Sequence, residues 1–233
     1  MMLSLIIPCY NEALNIAALL EQCAKAFAHR NDCEVILVDN GSRDNTPGVL
    51  AELLPRYPFV RTVRVDVNQG YGFGILTGLK ATKGQWLGWT HADLQTDPGD
   101  ALMVLDRVIQ TQHAPIFYKG QRYGRRIYDL FFTIGMSLFD SLLLGVGLWD
   151  INAQPTIFSR SFFDSWQSPP HDFALDLYAY YLAKKQKLPI QRFPVFFGKR
   201  MAGIAHLHNI QAKLRFTKRT ILYTLALRKS DIR

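Results

Sequence analysis

Short apolar segments that alternate with helical segments are the feature that most limits the fold of this chain. The apolar segments are LSLII (3–7), EVILV (34–38), FVRTVRV (59–65) and WLGW (86–89). Helices are predicted at 13–27, after Thr46-Pro47, at 75–82, and from the Asp97-Pro98 cap to about Ile109. Strands that alternate with helices indicate an α/β fold, Rossmann-like, with a mostly parallel sheet and helices on both faces.

A polar loop follows each of the four predicted strands. The loops are Pro8–Glu12, Asp39–Asp44, Asn68–Gly74 and His91–Gln95. In open α/β sheets, ligands bind in the crevice beyond the carboxyl ends of the strands. We therefore expect these four loops to converge on one crevice.

The fourth loop, HADLQTDP (91–98), has the composition of a metal site. An Asp-x-Gln pair at a strand end places two oxygen donors on the same side of an extended chain. Asp93 and Gln95 can therefore share a hard cation such as Mg²⁺ or Mn²⁺. His91 falls on that side as well, and imidazole suits Mn²⁺ better than Mg²⁺. The alternative role for these carboxylates is helix capping, which we assign to Asp97 while favouring metal binding for Asp93.

The glycine-rich segment NQGYGFGILTG (68–78) is not a dinucleotide or P-loop motif. Its glycines do not fit the G-x-G-x-x-G spacing, and no acidic residue ends the next strand to hold a ribose. The G-K-[ST] ending of a phosphate loop is also missing. The glycines instead predict a helix that begins close to a ligand or to the sheet.

The charge of the chain is uneven. Residues 184–233 contain 13 Lys and Arg residues against one acid, a net charge of about +12, whereas residues 1–183 carry 14 bases and 18 acids, about −4. Such asymmetry favours an anionic partner, which can be nucleic acid, a phosphorylated ligand or a membrane surface. A solvated face that only keeps the protein soluble remains the alternative.

Two segments of the second half suit a membrane surface. The apolar segment 127–149 contains Asp129 and Asp140, which are expensive inside lipid, so it predicts one or two helices that are buried or lie in the membrane interface. The segment 210–229 mixes basic and apolar residues and resembles a helix that rests on anionic lipid. A basic helix packed on the domain would have the same composition.

The cysteines and the N-terminus predict a cytosolic protein. Cys9, Cys23 and Cys33 lack C-x-x-C spacing and read as buried, reduced thiols. The start MMLSLIIPCYNE reaches proline and polar residues too soon for a signal peptide. With the basic C-terminal segment, these features predict a cytoplasmic protein, peripheral at the cytoplasmic face of the membrane.

Several motifs, in order, resemble one enzyme family. They are PCYNE (8–12), VDNGSRDNT (38–46), NQGYGFGILTGLKATKG (68–84), HADLQTDP (91–98), KGQR (119–122), DINAQPTIFSR (150–160) and FFGKRMAG (196–203). The set is similar to the family 2 inverting glycosyltransferases of the GT-A fold, and most similar to the polyprenyl-phosphate hexosyltransferases of the dolichol-phosphate mannosyltransferase type. The resemblance implies a GT-A domain at 1–206, with a nucleotide-sugar-binding half (1–112) and an acceptor-binding half (113–206). A basic amphipathic helix at 207–233 follows it.

The resemblance also implies roles for individual residues. Nucleotide-sugar binding falls to Pro8, Tyr10, Asn11, Glu12, Asp39, Asn68, Gly70, Ala92 and Arg200. Asp93 and Gln95, with His91 beside them, would hold the divalent metal, Mg²⁺ or Mn²⁺. Arg122 and Arg126, with Arg125 as an alternative, would face the acceptor phosphate, where arginine forks bind oxygens bidentately.

This sequence departs from the family pattern at four places. Asn40 stands for a second aspartate, His91 for the first aspartate of D-A-D, Ala153-Gln154-Pro155 for an S-G-F segment, and His206 for a common lysine. These departures leave the donor sugar, its base and the acceptor open.

Three functions are compatible with these features. The leading hypothesis is metal-assisted transfer of a hexose from a UDP- or GDP-sugar to a polyprenyl phosphate, which is already an anion and needs no strong general base. Transfer to a saccharide hydroxyl in cell-surface polysaccharide assembly would need a base, with Asp150, Asp172 and Asp176 as candidates. A degenerate core that only binds membrane or nucleic acid is the third. No recognition helix or RNA-binding sheet motif accompanies the basic residues, so we expect no nucleic-acid partner.

Overall fold

One seven-stranded sheet organises the computed structural model, which describes residues 2–111, 114–125, 127–201 and 210–231. The strands of this described part are β1 (Leu3–Cys9), β2 (Cys33–Asn40), β3 (Val60–Val65), β4 (Trp86–Trp89), β5 (Phe117–Tyr123), β6 (Thr156–Ser159) and β7 (Ile190–Phe196). The helices are α1 (Ala13–Phe27), α2 (Thr46–Leu53), α3 (Tyr71–Lys80), α4 (Leu102–Gln110), α5 (Ile127–Leu144), α6 (Arg160–Asp164), α7 (Ala174–Lys185) and α8 (Ile210–Asp231). The strand order is β3-β2-β1-β4-β6-β5-β7.

The first four strands form the parallel half of the sheet, as the alternating pattern predicts. Strand β1 is longer than predicted, because it continues through Pro8 to Cys9 in register with β2. Its pairing with β4 ends at Ile6, opposite Trp89. Pro8 has no N–H with which to continue that ladder. The two central strands therefore separate at the edge where the polar loops begin.

The second half adds strands in both directions. Strand β6 pairs antiparallel with both β4 and β5, and β7 pairs parallel with β5. The carboxyl end of β5, with Arg122, therefore lies at the same edge of the sheet as the ends of β1, β2 and β4. Strand β6 has only four residues and no periodic pattern. The sheet is mostly parallel, and the predicted boundary between residues 112 and 113 falls outside the described residues.

Helices cover both faces of the sheet. Along β1, Leu5 and Ile7 face α1, α2 and α4, whereas Ile6 faces α3, α7 and the end of α5. This division follows from the two-residue period of a strand. The three cysteines are buried free thiols, as predicted from their spacing.

Helix α3 begins four residues before the predicted start at residue 75. Its first turn packs against the segment that precedes α7, where a Cβ at Gly72 would lie 2.6 Å from the carbonyl oxygen of Pro170. Gly78 faces the sheet, where a Cβ would lie 2.5 Å from Ile6. The glycines therefore serve close packing on both sides of the helix.

Helices α5 and α8 lie together at the margin of the fold. The segment predicted as one or two helices is one helix, which ends at Leu144 and is followed by Gly145 with a φ of +66°. Among the described helices, α5 is long and apolar enough, by length and composition, to cross a membrane. A hydrogen bond of 2.7 Å from Thr224 Oγ1 to Asp140 Oδ1 joins α8 to α5.

Candidate functional site

The loops after the parallel strands meet at one crevice. The backbone N–H of Asn11 donates to Ser42 Oγ at 3.0 Å, and Asn11 Oδ1 accepts from the backbone of Arg43 at 2.8 Å. Asn40 Nδ2 donates to the carbonyl oxygen of Gly70 at 2.9 Å. Asn11 has a φ of +56°, a left-handed conformation that asparagine tolerates better than most residues. The first three loops are thus tied together by short polar contacts.

An arginine from the segment after β7 links the first loop to the fourth. Arg200 forms an ion pair with Glu12, and its Nη1 lies 3.6 Å from Asp93 Oδ2. All three side chains are largely buried, with 18%, 10% and 13% of their surfaces exposed. The structure therefore brings together three residues that the family resemblance implies for donor and metal binding.

The fourth loop, His91–Gln95, is called the metal loop here, and hydrogen bonds hold it in a defined conformation. Asp93 Oδ1 accepts from the backbone of Gln95 at 3.2 Å, and Gln95 Nε2 donates to the carbonyl oxygen of Gly198 at 3.1 Å. Gly198 in turn donates its N–H to the Gln95 carbonyl at 2.7 Å. With its amide nitrogen engaged, Gln95 leaves its side-chain oxygen as the atom that could meet a cation. Asp97 accepts from Gly99 at 2.7 Å and caps the following turn, as expected.

The donor set fits a cation that shares its coordination with a substrate. No group of three His, Cys, Asp or Glu side chains able to hold a metal occurs in the part of the chain that the structure describes. Mg²⁺ and similar ions are commonly held by one or two carboxylates together with substrate phosphates. Asp93 and the Gln95 oxygen meet that pattern. His91 is the first residue of this loop, and its ring centroid lies 5.9 Å from that of Tyr71.

The other predicted donor-site residues line the same loops. Asp39 is buried and accepts from the Ser42 N–H at 3.0 Å and from Arg64 at 2.7 Å. Asn68 Oδ1 accepts from Gly70, whose φ of +115° requires glycine. Pro8, Tyr10 and Ala92 complete the set, with Ala92 buried and Pro8 and Tyr10 partly exposed.

Three guanidinium groups surround one buried carboxylate at the carboxyl end of β5. Arg122 Nε donates to Asp150 Oδ1 at 3.0 Å, and the Arg122 N–H reaches Asp150 Oδ2 at 3.1 Å. Nitrogens of Arg125 and Arg192 lie 3.5 and 3.9 Å from the same carboxylate. The Phe197 ring lies under the cluster, 5.1 Å from Arg122 and 5.8 Å from Arg125. Since Gly198 contacts the metal loop, this cluster and the crevice are neighbours.

The cluster keeps a net positive charge. Burial alone would raise the pKa of Asp150, but hydrogen bonds and charge from Arg122, followed by the charge of Arg125, hold it below its ordinary value. One anion therefore faces three cations. Arg126 lies outside the described residues. Arg192 and Phe197 escaped the sequence prediction because only the register of β5 with β7 brings them to Arg122.

A second buried network lies behind the crevice. Asp176 Oδ1 accepts from Gln154 Nε2 at 2.6 Å, and Lys119 Nζ lies 3.8 Å from the same atom. Burial raises the pKa of Asp176, although Lys119 and His91 oppose the effect. Burial lowers the pKa of Lys119 to about 7. Lys119 begins the KGQR motif, but the sequence assigned it no role, since a buried lysine is recognised only once its partners are in place.

The third candidate base has a structural contact. Asp172 Oδ1 accepts from the Ala174 N–H at 2.9 Å, where α7 begins. The contact engages the Asp172 carboxylate with the first N–H of α7, next to the N-cap residue Phe173. Of the three candidate bases, Asp150 is held by arginines, Asp176 is buried, and Asp172 is engaged at a helix start.

Fold and site together define a class of protein. A mostly parallel α/β sheet with carboxylates, an amide oxygen and arginines at the carboxyl ends of its strands is the framework of an enzyme that handles an anionic, nucleotide-type ligand. The chain belongs to glycosyl transferase family 2, whose model matches residues 4–167.

Curated relatives match part of the chain. An undecaprenyl-phosphate 4-deoxy-4-formamido-L-arabinose transferase of Pseudomonas savastanoi is 36% identical over 98 residues, which are 41% of this chain and 29% of the relative. A dolichol-phosphate mannosyltransferase of Mycosarcoma maydis is 29% identical over 126 residues, 52% of this chain and 42% of the relative. The matched regions thus cover less than half of these relatives.

Solved structures share the fold over nearly the whole chain. A glucosyl-3-phosphoglycerate synthase of Mycobacterium tuberculosis, in complex with Mn²⁺, UDP and glucosyl-3-phosphoglycerate, is similar with a TM-score of 0.69 and 21% identity, covering 97% of this chain and 79% of that one. A mannosyltransferase of Pyrobaculum calidifontis with GDP-mannose and Mn²⁺ gives 0.64 and 18%, covering 86% and 58%. These likenesses confirm the predicted GT-A fold.

Proposed function

We propose that this glycosyltransferase moves a hexose from a nucleotide-diphosphate sugar to a polyprenyl phosphate, assisted by a divalent metal. The observation that carries the proposal is the cluster of Arg122, Arg125 and Arg192 around Asp150, next to the metal loop. An excess of guanidinium groups beside a donor crevice suits an acceptor that is itself an anion.

The donor side follows from the crevice. Asp93 and Gln95 would hold Mn²⁺ or Mg²⁺, and such an ion supplies positive charge where the leaving nucleoside diphosphate gains negative charge. Glu12 would meet a ribose hydroxyl and Asp39 the base, while Arg200 would reach the diphosphate. The solved relatives that carry UDP or GDP-mannose together with Mn²⁺ support this arrangement.

The acceptor side follows from charge and position. A lipid phosphate placed against Arg122 and Arg125 would replace solvent with bidentate hydrogen bonds. Phe197 braces both guanidinium groups from below. Because a phosphate oxygen is already a nucleophile, no residue has to remove a proton from it. The names of the curated relatives, which act on undecaprenyl and dolichol phosphates, support this acceptor class.

Transfer to a saccharide hydroxyl is less well supported. That reaction needs a general base with access to the acceptor. Asp150 has a lowered pKa and is enclosed by arginines, Asp176 is 2% exposed, and Asp172 accepts a hydrogen bond from the first N–H of α7. None of the three combines access with a free carboxylate in the described structure.

Helix α5 supports contact with a membrane because, unlike a helix on a water-exposed surface, it buries polar side chains and exposes large apolar ones. Its buried side chains include Thr133, Ser137 and Asp140, whereas its outer face is apolar. The exposed large residues on α5 are Ile127, Tyr128, Leu130, Phe131, Phe132, Ile134, Leu138 and Leu142. Such a face is unfavourable in water and suits the boundary between headgroups and acyl chains.

Helix α8 adds positive charge beside that face. Arg215, Lys218 and Arg219 are exposed on it, and so are Leu214 and Leu222. Mixed basic and apolar exposure is typical of helices that bind anionic lipid. We infer that α5 and α8 together hold the enzyme at a membrane surface, on the cytoplasmic side, where a lipid phosphate is available.

A transfer assay with matched acceptors tests the proposal. Purified protein with Mn²⁺ and a panel of UDP- and GDP-sugars would be given either undecaprenyl phosphate in anionic vesicles or soluble oligosaccharides. We expect one donor to yield a lipid-linked sugar, detected by mass spectrometry of the extracted lipid. Sugar transfer to an oligosaccharide with the lipid phosphate inert would contradict the proposal and favour the hydroxyl acceptor.

A further inference from the structure

We propose that Arg200 takes the place of the divalent cation at Asp93 in the ligand-free protein, so that the metal and the nucleotide diphosphate bind cooperatively. The inference rests on the proposed function for its nucleotide ligand. The competition between Arg200 and the metal depends on the structure alone.

The guanidinium group of Arg200 bridges the carboxylates of the first and fourth loops. It forms an ion pair with Glu12 and lies 3.6 Å from the Asp93 carboxylate. All three side chains are at least four-fifths buried. Charges in such surroundings interact more strongly than in water. Arg200 therefore neutralises the carboxylate on which the metal would depend.

The main chain holds Arg200 in this position. Gly198 exchanges two hydrogen bonds with Gln95, one with its backbone carbonyl at 2.7 Å and one from its side chain at 3.1 Å. Arg200 follows two residues later. The hydrogen bonds between Gly198 and the metal loop therefore position the Arg200 side chain near Asp93. The bond to the Gly198 carbonyl occupies the side-chain nitrogen of Gln95 and leaves its side-chain oxygen as a candidate ligand for the metal. One loop thus positions both the metal ligand and its competitor.

The small number of anionic ligands makes the competition effective. His91 occupies the position of the first aspartate in the D-A-D pattern of the family, and no group of three acidic, His or Cys side chains able to hold a metal occurs among the described residues. A cation entering beside Arg200 would share Asp93 with a group of like charge. A diphosphate removes this unfavourable pairing of like charges, because its oxygens can bind both the cation and, bidentately, the Arg200 guanidinium group.

The consequence is reciprocal coupling between the two ligands. If the nucleotide withdraws Arg200 from Asp93, it raises the affinity for the metal. Linkage requires that the metal raise the affinity for the nucleotide by the same factor. Removing the Arg200 charge should therefore strengthen binding of the metal alone and reduce the coupling.

Binding of Mn²⁺ in the absence of nucleotide tests the proposal without any catalytic readout. Free Mn²⁺ would be measured by electron paramagnetic resonance for the wild type, Arg200→Gln and the control Lys199→Gln, at constant ionic strength. Lys199 is the exposed neighbour, so its variant removes the same charge from the same loop. We expect Arg200→Gln to bind Mn²⁺ about tenfold more tightly than the wild type, and Lys199→Gln to resemble the wild type.

A second arm adds UDP or GDP to the same titrations. In the wild type we expect the active nucleotide to tighten Mn²⁺ binding by about tenfold or more, and in Arg200→Gln by much less. Arg200→Gln binding Mn²⁺ alone no better than the wild type, while melting normally, would overturn the inference. An equal gain in Lys199→Gln would do the same. If neither nucleotide bound, the proposed donor site would fail, yet the comparison without nucleotide would still decide the competition.

Discussion

The buried carboxyl group of Asp140 makes the stability of the protein depend on pH. It is fully buried on α5, and the Thr224 hydroxyl donates to its Oδ1 at 2.7 Å. Burial raises the pKa of Asp140 to about 6, with Thr224 acting in the opposite direction. A carboxyl whose folded-state pKa is raised binds protons more tightly in the native state, so stability falls as pH rises from the unfolded pKa to the folded one.

Asp140→Asn removes this titration and keeps the acceptor for Thr224. At pH 7.5 we expect the variant to be more stable than the wild type by on the order of 2 kcal/mol, since each pKa unit corresponds to about 1.4 kcal/mol. Below about pH 4, where Asp140 is protonated in both states, the difference should vanish. Urea unfolding at both pH values measures it. A difference that does not depend on pH would contradict the assignment.

Candidate residues were predictable where one loop contained them. Asp93, Gln95 and the Asp97 cap follow from local spacing, and the structure shows the cap. Arg192 and Phe197 were not predictable, because they reach Arg122 through strand pairing between segments some 70 residues apart. Lys119 was missed for the same reason, since its partners come from separate elements.

At the scale of elements, the composition of α5 predicts a helix but not which of its faces is buried. Its sequence is apolar with two aspartates, which leaves a buried helix and an interfacial helix equally acceptable. Only the fold shows that Thr133, Ser137 and Asp140 face inward, whereas Asp129 and most of the large apolar residues are exposed. This orientation is the basis for the proposed contact of α5 with a membrane surface.

A pair of substitutions on the outer face of α5 tests this orientation. Phe131 and Leu142 are 65% and 75% exposed, so Phe131→Ser with Leu142→Ser should leave folding intact. We expect the double variant to bind anionic vesicles at least about tenfold more weakly in co-sedimentation, since each buried large apolar side chain contributes about 1.5–3 kcal/mol. Leu14→Ser with Val67→Ser, at positions 81% and 65% exposed elsewhere on the protein, is the matched control. Equal losses in both double variants would argue against a membrane face on α5.

At the scale of the whole molecule, the parallel half of the sheet was predictable and the rest was not. Four apolar segments followed by helices predict that β1 to β4 run parallel, because a crossover helix returns the chain so that the next strand has the same direction. Strand β6 is short and runs the other way, and no local pattern encodes its antiparallel pairing. The family resemblance predicted the GT-A fold as a whole, and the solved structures confirm it.

The crevice formed by the polar loops and the exposed surface of α5 and α8 are separate regions of the molecule. The donor crevice joins loops from four strands and the Arg200 segment, whereas the exposed apolar and basic residues of α5 and α8 lie at the margin. The arginine cluster lies between them, since Asp150 accepts from Arg122 and its own N–H donates to Ser137 of α5 at 3.2 Å. In the proposed reaction, a water-soluble donor and a membrane-bound acceptor would meet at these arginines.

The most direct test of the account is a thermal-shift measurement with UDP, GDP and their sugar conjugates, with and without Mn²⁺. A ligand that bridges four loops at about 100 times its dissociation constant should stabilise the whole fold by roughly 2.7 kcal/mol. For a chain of this size that corresponds to roughly 5–10 °C. We predict such a shift for one nucleotide, dependent on Mn²⁺ and absent in Asp93→Asn. No shift with any nucleotide, or an equal shift in Asp93→Asn, would contradict a metal-dependent donor site in this crevice.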